Sequence, residues 1–127
     1  MTDRILRALE CPWVDVLGHP TGRRLLKREP AQMDMTAIVA AAKERGVAME
    51  INCQPERLDL SDTHARLARD RGVSLIISTD AHSVAALDRL RWGVQTARRA
   101  WVRPEDVLNT RGIVEFRKRL RRHRKKR

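Results

Sequence analysis

Two short strings hold the residues that could do chemistry. In Leu17-Gly18-His19-Pro20-Thr21-Gly22-Arg23 an imidazole follows an apolar run, and Gly18 and Gly22 allow a tight turn around it. In Ser78-Thr79-Asp80-Ala81-His82-Ser83 a carboxylate and an imidazole follow a second apolar run. The Asp-x-His spacing lets both side chains approach one centre from an extended segment, because alternate residues point the same way. Imidazole and carboxylate suit borderline and hard divalent metals such as Zn, Mn and Fe. His19, Asp80 and His82 are therefore the candidate metal ligands. Each also has an ordinary structural reading when taken singly. A histidine beside a Gly-Pro turn can simply brace that turn, and an aspartate before a helix can cap it.

Three apolar runs must position these residues: Trp13–Leu17, Val47–Ile51 and Val73–Ser78. The third, VSLIIS, is continuous rather than alternating, as suits a strand covered on both faces. Each run is followed by a helical stretch. Asp34 caps a helix through Arg45, with Ile38, Val39 and Ala42 on one face and Gly46 as its stop. Ser61 caps the next, which ends at Gly72, and Ser83 caps a third with Val84, Leu87 and Leu90 facing inward. Pro104 reads as a first-turn proline, and Ile113, Phe116 and Leu120 share one face of a final helix. This alternation predicts an α/β protein of parallel βα units, whose site lies at the C-terminal ends of the strands. His19 follows the first strand, and Asp80 and His82 follow the third. Three units leave a sheet with two open edges.

The second strand carries Glu50 and Asn52, which either line the floor of a site or fasten the fold as a buried polar pair. Arg23 and Arg57 could contact a phosphate, since guanidinium binds it through two donors. Their alternative is an internal salt bridge, such as Arg57 with Glu56 or Asp59.

The 127 residues allow one modest domain, against the roughly 250 of a complete (β/α) barrel. With no Tyr and a single Phe, the core falls to Leu, Val, Ile, Ala and three Trp. No apolar run reaches the roughly 18 residues of a membrane span. Met1-Thr2-Asp3-Arg4 does not read as a signal peptide, so a cytoplasmic location is expected. Cys11 and Cys53 form no CxxC unit and read as reduced thiols. The net charge of +11 is concentrated at one end. Nine of the 27 Lys and Arg fall in residues 117–127, which hold no acid. That leaves 18 bases against 16 acids over residues 1–116, a net of +2. Such a polycation adds salt-dependent affinity for nucleic acid without base choice; its alternative is a solvated extension.

The segments LGHPTGRRLLKREP, MEINCQPERLDL, RGVSLIISTDAHS and LRWGVQTARRAWVRPEDVLNT together resemble the C-terminal half of the PHP domain of bacterial and archaeal family X DNA polymerases, across residues 5–116. The resemblance implies a distorted (β/α)7 barrel with a trinuclear Mn or Zn site. It implies phosphoester hydrolysis as 3′-5′ exonuclease and 3′-end processing in DNA repair, and so DNA as a partner. On it His19, Asp80 and His82 fall on metal-ligand positions. The His-x-His that such domains carry near the barrel start has no counterpart, nor do their further His and Glu ligands. His64 falls on a predicted helix and His123 in the tail. The expectation is thus a partial PHP-type (β/α)7 barrel of about three parallel βα units plus a C-terminal helix, a fragment with an incomplete site and weak or no activity alone. The N-terminal half would be supplied by another chain or an upstream frame. Residues 1–116 would form the partial domain, and 117–127 a basic tail, disordered or extending the helix. Two alternatives are an inactive fragment that binds nucleic acid through its tail and a fragment of a PHP-type small-molecule phosphatase.

Overall fold

The computed structural model describes residues 1–120. Helix α1 (Thr2–Glu10) leads into strand β1 (Val16–Leu17), then come α2 (Met35–Arg45), β2 (Ala48–Asn52), α3 (Asp62–Asp70) and β3 (Leu75–Ser78). A 3-10 helix over Val84–Arg89 runs into α4 (Leu90–Arg99). Two further 3-10 turns, Pro104–Asp106 and Leu108–Thr110, precede α5 (Ile113–Arg119). The three strands pair in parallel in the order β1-β2-β3. Val16 lies beside Ala48, and Met49 to Asn52 lie beside Leu75 to Ser78. The expected α/β class holds as a three-stranded parallel sheet, which does not close into a barrel among the described residues.

Local chemistry explains most boundaries. The Asp34 carboxylate accepts from the Ala37 N–H at 2.9 Å, and Gly46 ends α2 in the left-handed region at φ 66°. Ser61 accepts from the His64 N–H at 3.3 Å and starts α3. Every residue of the central strand β2 is buried, as a strand flanked and covered on both sides requires. Met35, Ile38, Val39 and Ala42 of α2 meet Met49, Ile51 and Leu75 of the sheet in one core. α3 buries Ala65 and Ala68 in it, small side chains that let the helix lie close, with Leu67 packed at the margin. Gly93 does the same for α4: a Cβ there would stand 2.7 Å from Ile77 Cγ2 and would also strike the Cys53 sulfur.

Several expectations are corrected. β1 is two residues rather than the five of Trp13–Leu17. Helix α1, which the sequence did not announce, docks on α2 with Ile5 and Leu9 buried and Leu6 partly so. The tryptophans do not fill the core: Trp13 and Trp101 are exposed and Trp92 is at the surface. Aliphatic and alanine side chains close the space instead, and the Arg66 guanidinium lies over Trp101. Ser83 makes no side-chain cap, and Val84, Leu87 and Leu90 face outward while Ala86 faces in. The reason is the 3-10 geometry of that stretch, whose three residues per turn shift the inward stripe away from the 3.6-residue pattern. Ile113 is exposed, whereas Leu120 is buried.

One expected open edge is closed. Asn109 accepts from the Ile77 N–H at 3.1 Å and donates to the Ile77 carbonyl at 2.7 Å, so one side-chain amide stands in for a neighbouring strand. Leu75 also bridges Val107. The outer edge of β1 has no strand partner among the described residues. The basic segment begins inside α5, at Arg117, Lys118 and Arg119; residues 121–127, with His123, lie outside the described residues. Among the described residues no helix is long and apolar enough to cross a membrane.

Candidate active site at the strand ends

All three strands end at one cluster of polar side chains. His19 stands two residues past β1, Asn52 closes β2, and Asp80 stands two residues past β3. Glu50, buried on β2, binds the first loop: its Oε2 accepts the His19 backbone N–H at 2.6 Å and lies 3.1 Å from His19 Nδ1. Asn52, fully buried, joins the three strands. Its Nδ2 donates to Asp80 Oδ2 at 3.2 Å and lies 3.4 Å from both Glu50 Oε2 and His19 Nδ1. Both earlier readings of Glu50 and Asn52 meet here, since the pair fastens the loops and forms the floor between them.

The two histidines are oriented alike. His82 Nδ1 lies 2.7 Å from the Asp80 carbonyl, as His19 Nδ1 lies against Glu50. With an Nδ1 proton directed at that oxygen, either ring would leave Nε2 free to take a metal or a proton. His19 at φ 26° and Asp80 at φ 51° both occupy the left-handed region without being glycine. Each such residue costs about 1–3 kcal/mol and persists only where the surroundings impose it. Here that imposition comes from Glu50 and Asn52.

A second buried group holds the first loop from below. Asp59 Oδ2 accepts from Thr21 N (3.0 Å), Thr21 Oγ1 (2.9 Å) and Gly22 N (2.9 Å), while its Oδ1 is buried without a partner. Burial pushes the Asp59 carboxyl above its ordinary value despite these donors. His64 on α3 is also partly enclosed, and burial lowers its pKa. Arg23 donates to the Arg57 carbonyl at 2.8 Å and to the Leu58 carbonyl. It therefore has the internal role, though toward carbonyls rather than a carboxylate. Arg57 pairs with neither Glu56 nor Asp59; its Nε lies 4.0 Å from Asp80 Oδ2. The third loop is held by Gln54, whose Nε2 donates to the Thr79 and Asp80 carbonyls, both at 2.8 Å.

No family model matches the chain. It is 38% identical over 112 residues to the DNA polymerase/3′-5′ exonuclease PolX of Bacillus subtilis (strain 168), covering 88% of this chain and 20% of that protein. A probable phosphatase of Thermoanaerobacter sp. (strain X514) is 28% identical over 115 residues, 86% of this chain and 44% of the relative. One from Clostridium acetobutylicum is 32% identical over 87 residues, 64% of this chain and 33% of the relative. The matched part of the polymerase is the C-terminal part of its PHP domain. The chain is similar to the C-terminal part of the PHP domain of a family X DNA polymerase. It spans about a fifth of the length of that polymerase and less than half of either phosphatase.

The polymerase-type PHP resemblance carries a metal requirement that these residues meet only in part. His19 stands on the first loop, and Asp80 and His82 stand together on the third. Yet among the described residues no three His, Cys, Asp or Glu side chains are grouped so as to hold a metal ion. The Asn52 amide nitrogen stands among the His19 ring and the Glu50 and Asp80 carboxylates. A trinuclear Mn or Zn site therefore does not fit the described residues by themselves. The sequence reading missed Gln54, Thr21 and Asn109. Only Asp59, inside the RLDL string, was flagged, and as a salt-bridge partner rather than as the anchor of the His19 loop.

Proposed function

We propose that this chain forms the C-terminal wall of a phosphoester-hydrolysing site, acting on DNA ends when the rest of a PHP domain completes it. The observation that carries the proposal is the convergence of His19, Glu50, Asn52 and Asp80 at the ends of three parallel strands, in a chain 38% identical to a 3′-5′ exonuclease polymerase. His19, Asp80 and His82 are the residues proposed to face the substrate or its metal. With Nε2 unprotonated, His19 can accept a proton from water or take a cation, while Glu50 offsets the charge that forms. Glu50 and Asn52 act as positioning residues, since they reach the reacting region only through His19 and Asp80. Completion by a further segment is expected at the outer edge of β1, where parallel pairing would continue.

The test is hydrolysis of a 3′-tailed DNA and of a small phosphomonoester with added Mn or Zn, for the chain and for Asp80→Asn. Slow turnover that disappears in the variant is the expected result. Equal rates in the two, or no turnover with either substrate, would overturn the reading for this chain.

A second reading, an inactive module that binds nucleic acid, has its own support in the nine Lys and Arg of residues 117–127. It predicts salt-sensitive DNA binding that survives Asp80→Asn and is lost when 117–127 are deleted.

A further inference from the structure

Beside Asp80 the structure holds a cleft of about 280 Å³, several times the roughly 30 Å³ share of one water. Arg57, Asp80, His82, Ser83 and Arg89 line it. We propose that Arg57 and Arg89 form a phosphate-binding wall there, and that it prefers the dianionic terminus of a phosphomonoester to a phosphodiester linkage. The proposal rests on the phosphoester reading above and assigns that reaction the residues that grip the phosphate.

The Arg89 guanidinium is fixed from within the fold, and Arg57 is fixed at its backbone. Arg89 donates to Gln54 Oε1. Gln54 is itself buried and tied through its amide nitrogen to the Thr79 and Asp80 carbonyls. It therefore cannot swing without releasing the Asp80 loop. Arg57 is held at its backbone: its N–H bonds the Gln54 carbonyl at 2.8 Å, and its own carbonyl takes Arg23 Nε at 2.8 Å. Its guanidinium Nε stands 4.0 Å from Asp80 Oδ2, beyond the about 3.2 Å of a direct hydrogen bond.

Glu56, the other acid at the cleft, is occupied by Arg24 at 2.8 Å and Lys27 at 4.0 Å. The cleft therefore presents two arginines, the Ser83 hydroxyl, the His82 ring and the Asp80 carboxylate, with Glu56 paired away. Guanidinium offers a planar set of donors that matches phosphate oxygens in pairs. Two cations facing one anion attract a double charge more strongly than a single one, which is the origin of the monoester preference. The same dianionic group ends a 3′-phosphorylated DNA strand and a free nucleotide.

Binding can be read without metal or turnover, so its failure is separate from a failure of hydrolysis. The chain is titrated in chelator with inorganic phosphate, thymidine 3′-monophosphate and the diester dinucleotide of thymidine, following arginine Nε–H resonances and heat. Arg57→Gln and Arg89→Gln are expected each to weaken phosphate at least about tenfold, and Arg98→Gln, on the exposed part of α4, to leave it unchanged. Arg89→Lys and Arg57→Lys keep the charge but lose the paired donors. They should fall between wild type and the Gln variants, and they carry the test if a Gln variant does not fold. Tighter binding of a 3′-phosphorylated oligonucleotide than of thymidine 3′-monophosphate would support the proposal with a DNA end as the source; equal binding would support it with a free monoester. Phosphate that does not bind, or binds equally to wild type and all four arginine variants, overturns it. Diester binding as tight as monoester binding overturns the preference.

Discussion

The loop that carries His19 and the loop that carries Asp80 and His82 are fastened by opposite means. The first hangs on a buried carboxylate: Asp59 takes three donors from Thr21 and Gly22, and Glu50 takes the His19 N–H. The second hangs on buried amides: Gln54 gives two hydrogen bonds to the Thr79 and Asp80 carbonyls, and Asn52 gives one to the Asp80 carboxylate. Hydrogen bonds to an ionised acceptor are roughly twice as strong as neutral ones. Four such bonds hold the first loop and one, from Asn52 to Asp80, holds the second. We expect the second to be the more easily displaced, and beyond Asp80 it continues into a 3-10 stretch with Val84 and Leu87 in the open. A site assembled from one stiff wall and one yielding wall can hold a histidine in place while the other wall adapts to a ligand.

The strongest way to break the comparison is Asp59→Ala. It leaves the Thr21 N–H, Thr21 hydroxyl and Gly22 N–H without their acceptor in a buried setting. We expect a loss of about 3 kcal/mol or more in denaturant unfolding. The same carboxyl has a pH signature. Its folded-state pKa is raised above 3.8, chiefly by burial, so the folded state holds this proton more tightly than the unfolded state does. That contribution to stability is complete below pH 3.8 and is lost as pH rises through the folded-state value. Asp59→Asn, which keeps an acceptor for the three donors, should flatten the stability profile between pH 3.8 and the folded-state value.

Gly93→Ala tests what lies beneath the second loop. The new Cβ would meet Ile77 Cγ2 at 2.7 Å and the Cys53 sulfur, pushing α4 off β2 and β3. Overpacking of this kind costs about 1–3 kcal/mol, with the thermal midpoint falling accordingly. Gln54→Ala should cost less, about 1–2 kcal/mol, because the Thr79 and Asp80 carbonyls it frees lie near solvent. Its effect should concentrate in hydrogen exchange at 79–89 and leave 18–24 protected. If Gln54→Ala destabilised the protein as much as Asp59→Ala, the contrast between the two walls would be wrong.

The sequence disclosed the scaffold better than it disclosed these fastenings. The parallel order and the caps at Asp34, Gly46 and Ser61 follow from local signals, namely apolar runs, a cap residue and a glycine stop. His19 and Asp80 were legible because strand ends in parallel α/β folds collect functional groups. Asp59 and Gln54 were not legible as anchors, because their partners lie 37 and 38 residues away in one case and 25 and 26 in the other. No local pattern encodes those meetings. The inward face of Val84, Leu87 and Leu90 was misjudged for a related reason. A 3.6-residue period was applied to a segment that winds at three residues per turn, and the buried position fell to Ala86.

The smallest effect in free energy offers the finest reading of the second wall. Cys11 is exposed and Cys53 is buried, where Cys53 sits beneath α4 with its sulfur 3.8 Å from the Leu90 carbonyl. Burial raises the Cys53 pKa to about 11, so at pH 8 roughly one molecule in a thousand carries its thiolate. A disulfide reagent should therefore modify one thiol at once and the other only when α4 and the loop before it lift from β2. Gln54→Ala leaves the Cys53 side chain in place while freeing the Thr79 and Asp80 carbonyls, and should speed the slow phase several-fold. A substitution confined to the first wall, such as Thr21→Val, should leave it unchanged. Acceleration by both would mean that the two loops open together, and the stiff and yielding walls would then be a single cooperative unit held through Asn52.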